Sequence, residues 1–208
     1  MLKEYLNTLR VEEEVIDPEE RELLSLAIFS NLLGYLGDEV NFPNKEINKL
    51  AALVSELIVN GHIPCYIDPT GEVSCLFFAV VDEGIERHPM ICVPTDFIET
   101  VAIAPQVLIG TFAFMASQCR DYFFNKITKG HKNVDEVVER AEAFEAETLI
   151  LLKKIAREEG LELEFIPYQE EMIEKFPKGL DSLKPELSYH TPSLDELTHL
   201  SAQNSKLN

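Results

Sequence analysis

The sequence predicts an α+β fold, mostly helical, with a small antiparallel β-meander packed on a central apolar helix. Three observations carry this. Apolar residues recur at helical spacing through the first 60 positions and again from about position 104 to 159. Between those stretches lie short runs rich in β-branched and aromatic residues. Apolar residues make up 46% of the 208 positions, enough to build a core.

The elements follow in order. Leu2, Tyr5, Leu6 and Leu9 define a short first helix. Asp17-Pro18 opens a second, with Asp at the cap, Pro at the first helical position and acids in the first turn. Its apolar positions, Leu23, Leu24, Ala27, Ile28, Leu32 and Leu36, form a broad stripe that Gly37 stops. Asn44 caps a third helix, in which Ile47, Leu50, Ala51, Val54 and Leu57 share a face, and Gly61 ends it.

The period then changes. HIPCYID and EVSCLFFAVV are β-rich and are joined through Pro69-Thr70-Gly71. That tripeptide suits a three-residue hairpin loop and sets a register with Cys65 opposite Cys75 on a buried apolar face. After a charged loop from Asp82 to Arg87, HPMICVP reads as a third strand. Thr95 or Asp96 caps a short helix, and Pro105 starts or kinks the most apolar helix, Ala104 to about Ile127. Asn133 caps a long helix to Glu159. Val134, Val137, Val138, Ala141, Phe144, Thr148, Leu151, Leu152 and Ile155 form its stripe, and Gly160 is its stop. LELEFI reads as a fourth strand and residues 168–176 as a last short helix. Residues 1–180 are therefore read as a single α+β domain. Residues 181–208, broken by Pro185 and Pro192, are read as an extended or partly disordered C-terminal tail.

The charge restricts the partners. Eighteen basic residues stand against 37 acidic ones, a formal net charge of −19. The excess is spread along the chain, with the middle third least charged. Such a field repels phosphate backbones, so no nucleic-acid partner is expected; the functional reading of the charge is a basic protein partner, and the plainer reading is solubility. The longest apolar stretch, Phe97 to Ala116, contains Glu99 and Pro105 and reads as a buried segment rather than a membrane span. Four cysteines without a CxxC pair, and an N-terminus charged too early for a signal peptide, point to reduced thiols and a cytoplasmic location.

Few residues suggest chemistry. Cys65, Cys75, Cys92 and His88 could converge as a zinc site. Their mid-strand apolar surroundings favour packing instead, and no metal or cofactor is expected. Ser117, Gln118, Cys119, Arg120 and Asp121 form a polar patch on the apolar helix. If it lines a pocket between sheet and helix, Cys119 is a candidate nucleophile and Arg120 an anion clamp beside Asp121. Otherwise Arg120 pairs with an acid at the surface. Glu196 and His199 have the spacing of half a di-metal carboxylate site, without the second half. Glu136, Glu139, Glu142, Glu145 and Glu147 read as a solvated face of the long helix. There is no P-loop, GxGxxG, GxSxG or HExxH.

Charge without a named chemistry points to a protein-binding module: an adaptor, small chaperone or assembly factor. Its tail offers Leu187, Tyr189, Leu194, Leu197 and Leu200 as spaced anchors. A small-molecule enzyme using Cys119, Arg120 and Asp121 is the second reading. A structural subunit of a homo-oligomer is the third.

Overall fold

The computed structural model describes residues 2–8, 17–68, 76–83, 86–94, 105–128 and 134–184. Three helices come first: α1 (Leu2–Thr8), α2 (Pro18–Gly37) and α3 (Lys45–Val59). Then come three strands: β1 (Cys65–Asp68), β2 (Phe77–Glu83) and β3 (Glu86–Pro94). The two longest helices, α4 (Pro105–Thr128) and α5 (Val134–Glu158), follow. A short α6 (Pro167–Lys175) and a 3-10 turn, Gly179–Ser182, close the described chain. The α+β architecture is the one the sequence predicts.

The helix ends lie where local chemistry puts them. Asp17 accepts from the Glu19 amide at 3.2 Å, with Pro18 inside the first turn of α2. Asn44 accepts from the Glu46 and Ile47 amides at 3.0 and 3.1 Å. Past α3 the chain turns at Gly61, and past α5 at Gly160. Both have φ of +70°, a region that favours glycine. The Leu161 amide then bonds back to the Ala156 carbonyl at 2.8 Å, closing the end of α5.

The core forms where these helices meet. Leu2, Leu32, Leu36, Ile47, Leu50, Phe112 and Phe144 are fully buried together. Tyr5 and Tyr35 stack with ring centroids 3.8 Å apart, joining α1 to α2. Asn48 donates to the Phe42 carbonyl at 2.9 Å and to that of Leu36, which ties the α2–α3 turn to α3. Helix α4 is central, as expected: Leu108, Ile109, Phe112, Ala113, Met115, Ala116 and Cys119 are buried along it. Phe114 is only partly buried, so α4 keeps one less covered side.

The sheet corrects the predicted meander. Its order is β1-β3-β2, with β1 parallel to β3 and β2 antiparallel to β3. Thus β1 and β2 are not neighbours, and Cys65 faces Ile91 rather than Cys75, which lies outside the described residues. Two forces decide this. Glu83 pairs with Glu86, so only two residues separate β2 from β3, and the shortest hairpin connection closes first. And β3 is the most buried strand, with Ile91 and Val93 at 0% exposure, so it takes the centre with a ladder on each side. The sheet still packs on α4, where Phe78 meets Tyr122 at 5.5 Å between centroids.

Two further expectations change. Residues 161–166 alternate half-buried Leu161, Leu163 and Phe165 with exposed Glu162 and Glu164, yet they join no strand. The period was right, but the segment lies on the helical core without a ladder partner. At the start of the expected tail, residues 181–184 belong to the described fold. The 3-10 turn and Leu183, 9% exposed, pack on α5 with Ala143, Ala146, Met172 and Phe176. Asn133, the short helix at Thr95 or Asp96 and the anchors from Leu187 onward lie outside the described residues.

Candidate functional site

The polar patch read from α4 lies in the interior. Cys119, Arg120 and Asp121 are 0%, 1% and 0% exposed. Arg120 donates from Nε to Asp121 Oδ1 at 3.3 Å and from Nη2 to Ser117 Oγ at 2.8 Å. Its guanidinium lies 5.6 Å from the centroid of the Phe144 ring on α5. The other oxygen of Asp121 accepts from Arg140 Nη1 at 2.6 Å. One carboxylate therefore bridges two arginines across the α4–α5 seam.

Chemistry at this seam is that of a lock. Burial lowers the Arg120 pKa, and the Asp121 carboxylate beside it works in the opposite direction. Burial pushes the Cys119 thiol far up, away from the thiolate a nucleophile needs. The patch faces α5, not a cleft between α4 and the sheet, and Arg120 pairs in the core rather than at the surface. Arg140 was missed from the sequence, although it stands three residues after Val137 and four before Phe144, inside the apolar stripe.

A second seam joins α5 to α6. Glu145, expected on a solvated face, is 1% exposed. Its Oε2 accepts from Tyr168 Oη at a long 3.3 Å, and its Oε1 has no hydrogen-bond partner. Gln169 is fully buried beside it. Its amide is near enough to favour the charged carboxylate slightly, yet neither amide atom makes a well-formed hydrogen bond. Burial dominates and pushes the Glu145 carboxyl up to about 7. The signal was positional: Glu145 stands four residues after Ala141 and three before Thr148, both on the stripe.

Gly110 on α4 makes room for this pair. A β-carbon there would stand 2.6 Å from Gln169 Nε2 and 3.0 Å from Glu145 Oε1. The seam is flanked by ion pairs at the surface: Lys175 to Glu142 at 2.6 Å and Lys153 to Glu170 at 3.3 Å. Next to it, Glu147 accepts from the Leu180 amide at 3.2 Å and from Asn44 Nδ2 at 3.2 Å. One carboxylate so ties the 3-10 turn to the cap of α3.

Of the cysteines on the sheet, Cys65 and Cys92 do not converge. Cys65 pairs with Ile91 and Tyr66 with Cys92, which puts Cys65 and Cys92 on opposite sheet faces. Burial pushes the Cys65 thiol up to about 11. Among the described residues no group of three His, Cys, Asp or Glu could hold a metal ion. Glu196 and His199 lie outside them. A groove of about 460 Å³ runs between α2 and α3, lined by Ser30, Gly34, Gly37, Asp38, Ala51, Ala52 and Ser55. Its walls are small and hold no nucleophile–base pair. Among the described residues, no helix is long and apolar enough to cross a membrane.

No protein-family model, no curated protein and no solved structure matches this chain.

Proposed function

We propose that this protein is an acidic binding module, an adaptor, small chaperone or assembly factor, that holds a basic protein partner through its acidic surface and its C-terminal tail. The observation that carries the reading is where the charges lie. The one cluster that resembled a catalytic trio, Cys119, Arg120 and Asp121, is sealed in the core and spent on holding α4 to α5. The acidic excess is outside: Glu19, Glu20, Glu22, Asp38, Glu39, Glu139, Glu158, Glu162, Glu164, Glu171 and Glu174 are all exposed. A surface of that sign attracts and orients a basic partner over a screening length of about 8 Å in physiological salt.

Leu183 gives the tail a fixed root on α5, and the spaced anchors Leu187, Tyr189, Leu194, Leu197 and Leu200 follow it in sequence. The homo-oligomer reading keeps support from large apolar side chains left outside, Leu23 at 69% and Val59 at 80% exposure.

The test is co-purification from the native host with the full chain and with a chain ending at Lys184. A partner that binds the full chain, is lost with the tail and is released by salt supports the module. A full chain that brings down nothing but itself overturns it in favour of the oligomer.

A further inference from the structure

The α6 helix and the 3-10 turn after it pack chiefly on α5, and they do so around a buried acid. Two observations show an unusual joint. The apolar part is small: Met172, Phe176 and Leu183 against Ala143 and Ala146, a cluster that half-buried Leu180 links to the main core. The polar part is unsatisfied: Glu145 Oε1 and both amide atoms of Gln169 are buried without a hydrogen bond. Buried polar groups left so weaken a joint, and a buried unpaired charge weakens it more.

Protonation supplies what is missing. An ionised Glu145 is an acceptor only: the Gln169 amide nitrogen can donate to it, but the amide oxygen is then left without a donor. A neutral Glu145 carries an O–H that can donate to that oxygen, while the Gln169 amide nitrogen donates in return. Both side chains already close on the same point over Gly110, so little motion is needed.

We propose that α6 and the following 3-10 turn form a proton-governed latch, docked on α5 while Glu145 is protonated and loosened when Glu145 is ionised. The groups around the acid differ in sign, and burial outweighs them. On α5, Glu142 disfavours the charged form of Glu145, and its own charge is held by Lys175 of α6. From α6 come the Tyr168 hydroxyl and, more weakly, the Gln169 amide, which both favour the charged form, and Glu170, which pairs with Lys153. Glu147 is engaged by the Leu180 amide and Asn44. From α4 the contact is Gly110, which carries no charge. No cation among these pairs is directed at Glu145.

The sign follows from linkage. The carboxyl is raised to about 7 when docked, against about 4.3 for a solvated glutamate. Docking strength is therefore full below the solvated value, falls as pH rises, and levels off above the docked one. The latch needs no partner, so it stands or falls separately from the binding role of the tail.

Hydrogen exchange of the purified full chain tests it, with protection corrected for intrinsic rates at about pH 5 and about pH 8. The readout is the protection of residues 168–183 relative to that of α3. It should fall by about tenfold or more at the higher pH. Glu145→Gln should remove the fall, and Glu142→Gln should keep it. Tyr168→Phe, which removes the hydroxyl that favours the charged form, should deepen it, so the latch remains testable if Glu145→Gln does not fold. A parent ratio equal at both pH values, an undiminished fall in Glu145→Gln, or a shallower fall in Tyr168→Phe would each overturn the latch.

Discussion

Helix α5 buries ionisable groups on two sides, and the two sides follow different rules. Toward α4, Arg140 meets a carboxylate that already holds Arg120, and the described contacts include Ser117 and the Phe144 ring. Toward α6, five residues further along, Glu145 meets one distant hydroxyl and an amide that does not bond it well. The comparison separates two uses of buried polarity. A paired cluster fixes one arrangement of two long helices, because breaking it strands a charge. An unpaired acid leaves its helix dependent on which protonation state it occupies. The second seam should therefore loosen as pH rises through neutrality.

The largest effect should come from breaking the paired seam. Asp121→Ala leaves two arginines buried without their shared carboxylate and should destabilise by about 3–5 kcal/mol in a denaturant titration. A loss under about 1 kcal/mol would mean the arginines find other acids at no cost. Phe112→Ala, at a fully buried ring on α4, should cost about 3–5 kcal/mol through the cavity it leaves. Phe114→Ala, at a partly buried ring two residues on and toward the other side of the helix, should cost clearly less. Equal losses would show that α4 is covered on every side.

Smaller effects should come from the α6 side. Gly179 has φ of +57°, and a β-carbon there would stand 2.9 Å from the Glu147 Cα. Gly179→Ala should cost roughly 1–3 kcal/mol and reduce the exchange protection of residues 168–183 more than that of α3. Uniform loss across the chain would show that α6 and the 3-10 turn unfold only with the rest. Glu145→Gln should be smaller still and pH-dependent. It should raise the thermal midpoint above neutral pH, where the parent must bury a charge, and the benefit should shrink as pH falls from about 7 and be gone below about 4.3.

What the sequence disclosed is divided by range. Caps and stops act within a few residues, so Asp17, Asn44, Gly61 and Gly160 could be read directly. Sheet order is a contest between distant segments. Pro69-Thr70-Gly71 suggested a hairpin between β1 and β2, but the two-residue spacing between Glu83 and Glu86 and the apolar β3 decided otherwise. The polar patch at Ser117 to Asp121 was legible as an anomaly on α4. Its partner Arg140 was not, because pairing across helices depends on how they are rotated. Glu145 was misread because it was grouped with its acidic neighbours. Its place on the apolar stripe outweighed its charge.

One titration tests the contrast between the seams most directly. Carbon-13 NMR of the glutamate side-chain carboxyls, with Glu145→Gln to assign the signal, follows the Glu145 proton in the folded chain. The structure predicts a midpoint at about 7. A midpoint near the solvated value of about 4.3 would mean that water or a cation reaches the acid. Glu145 would then be no switch.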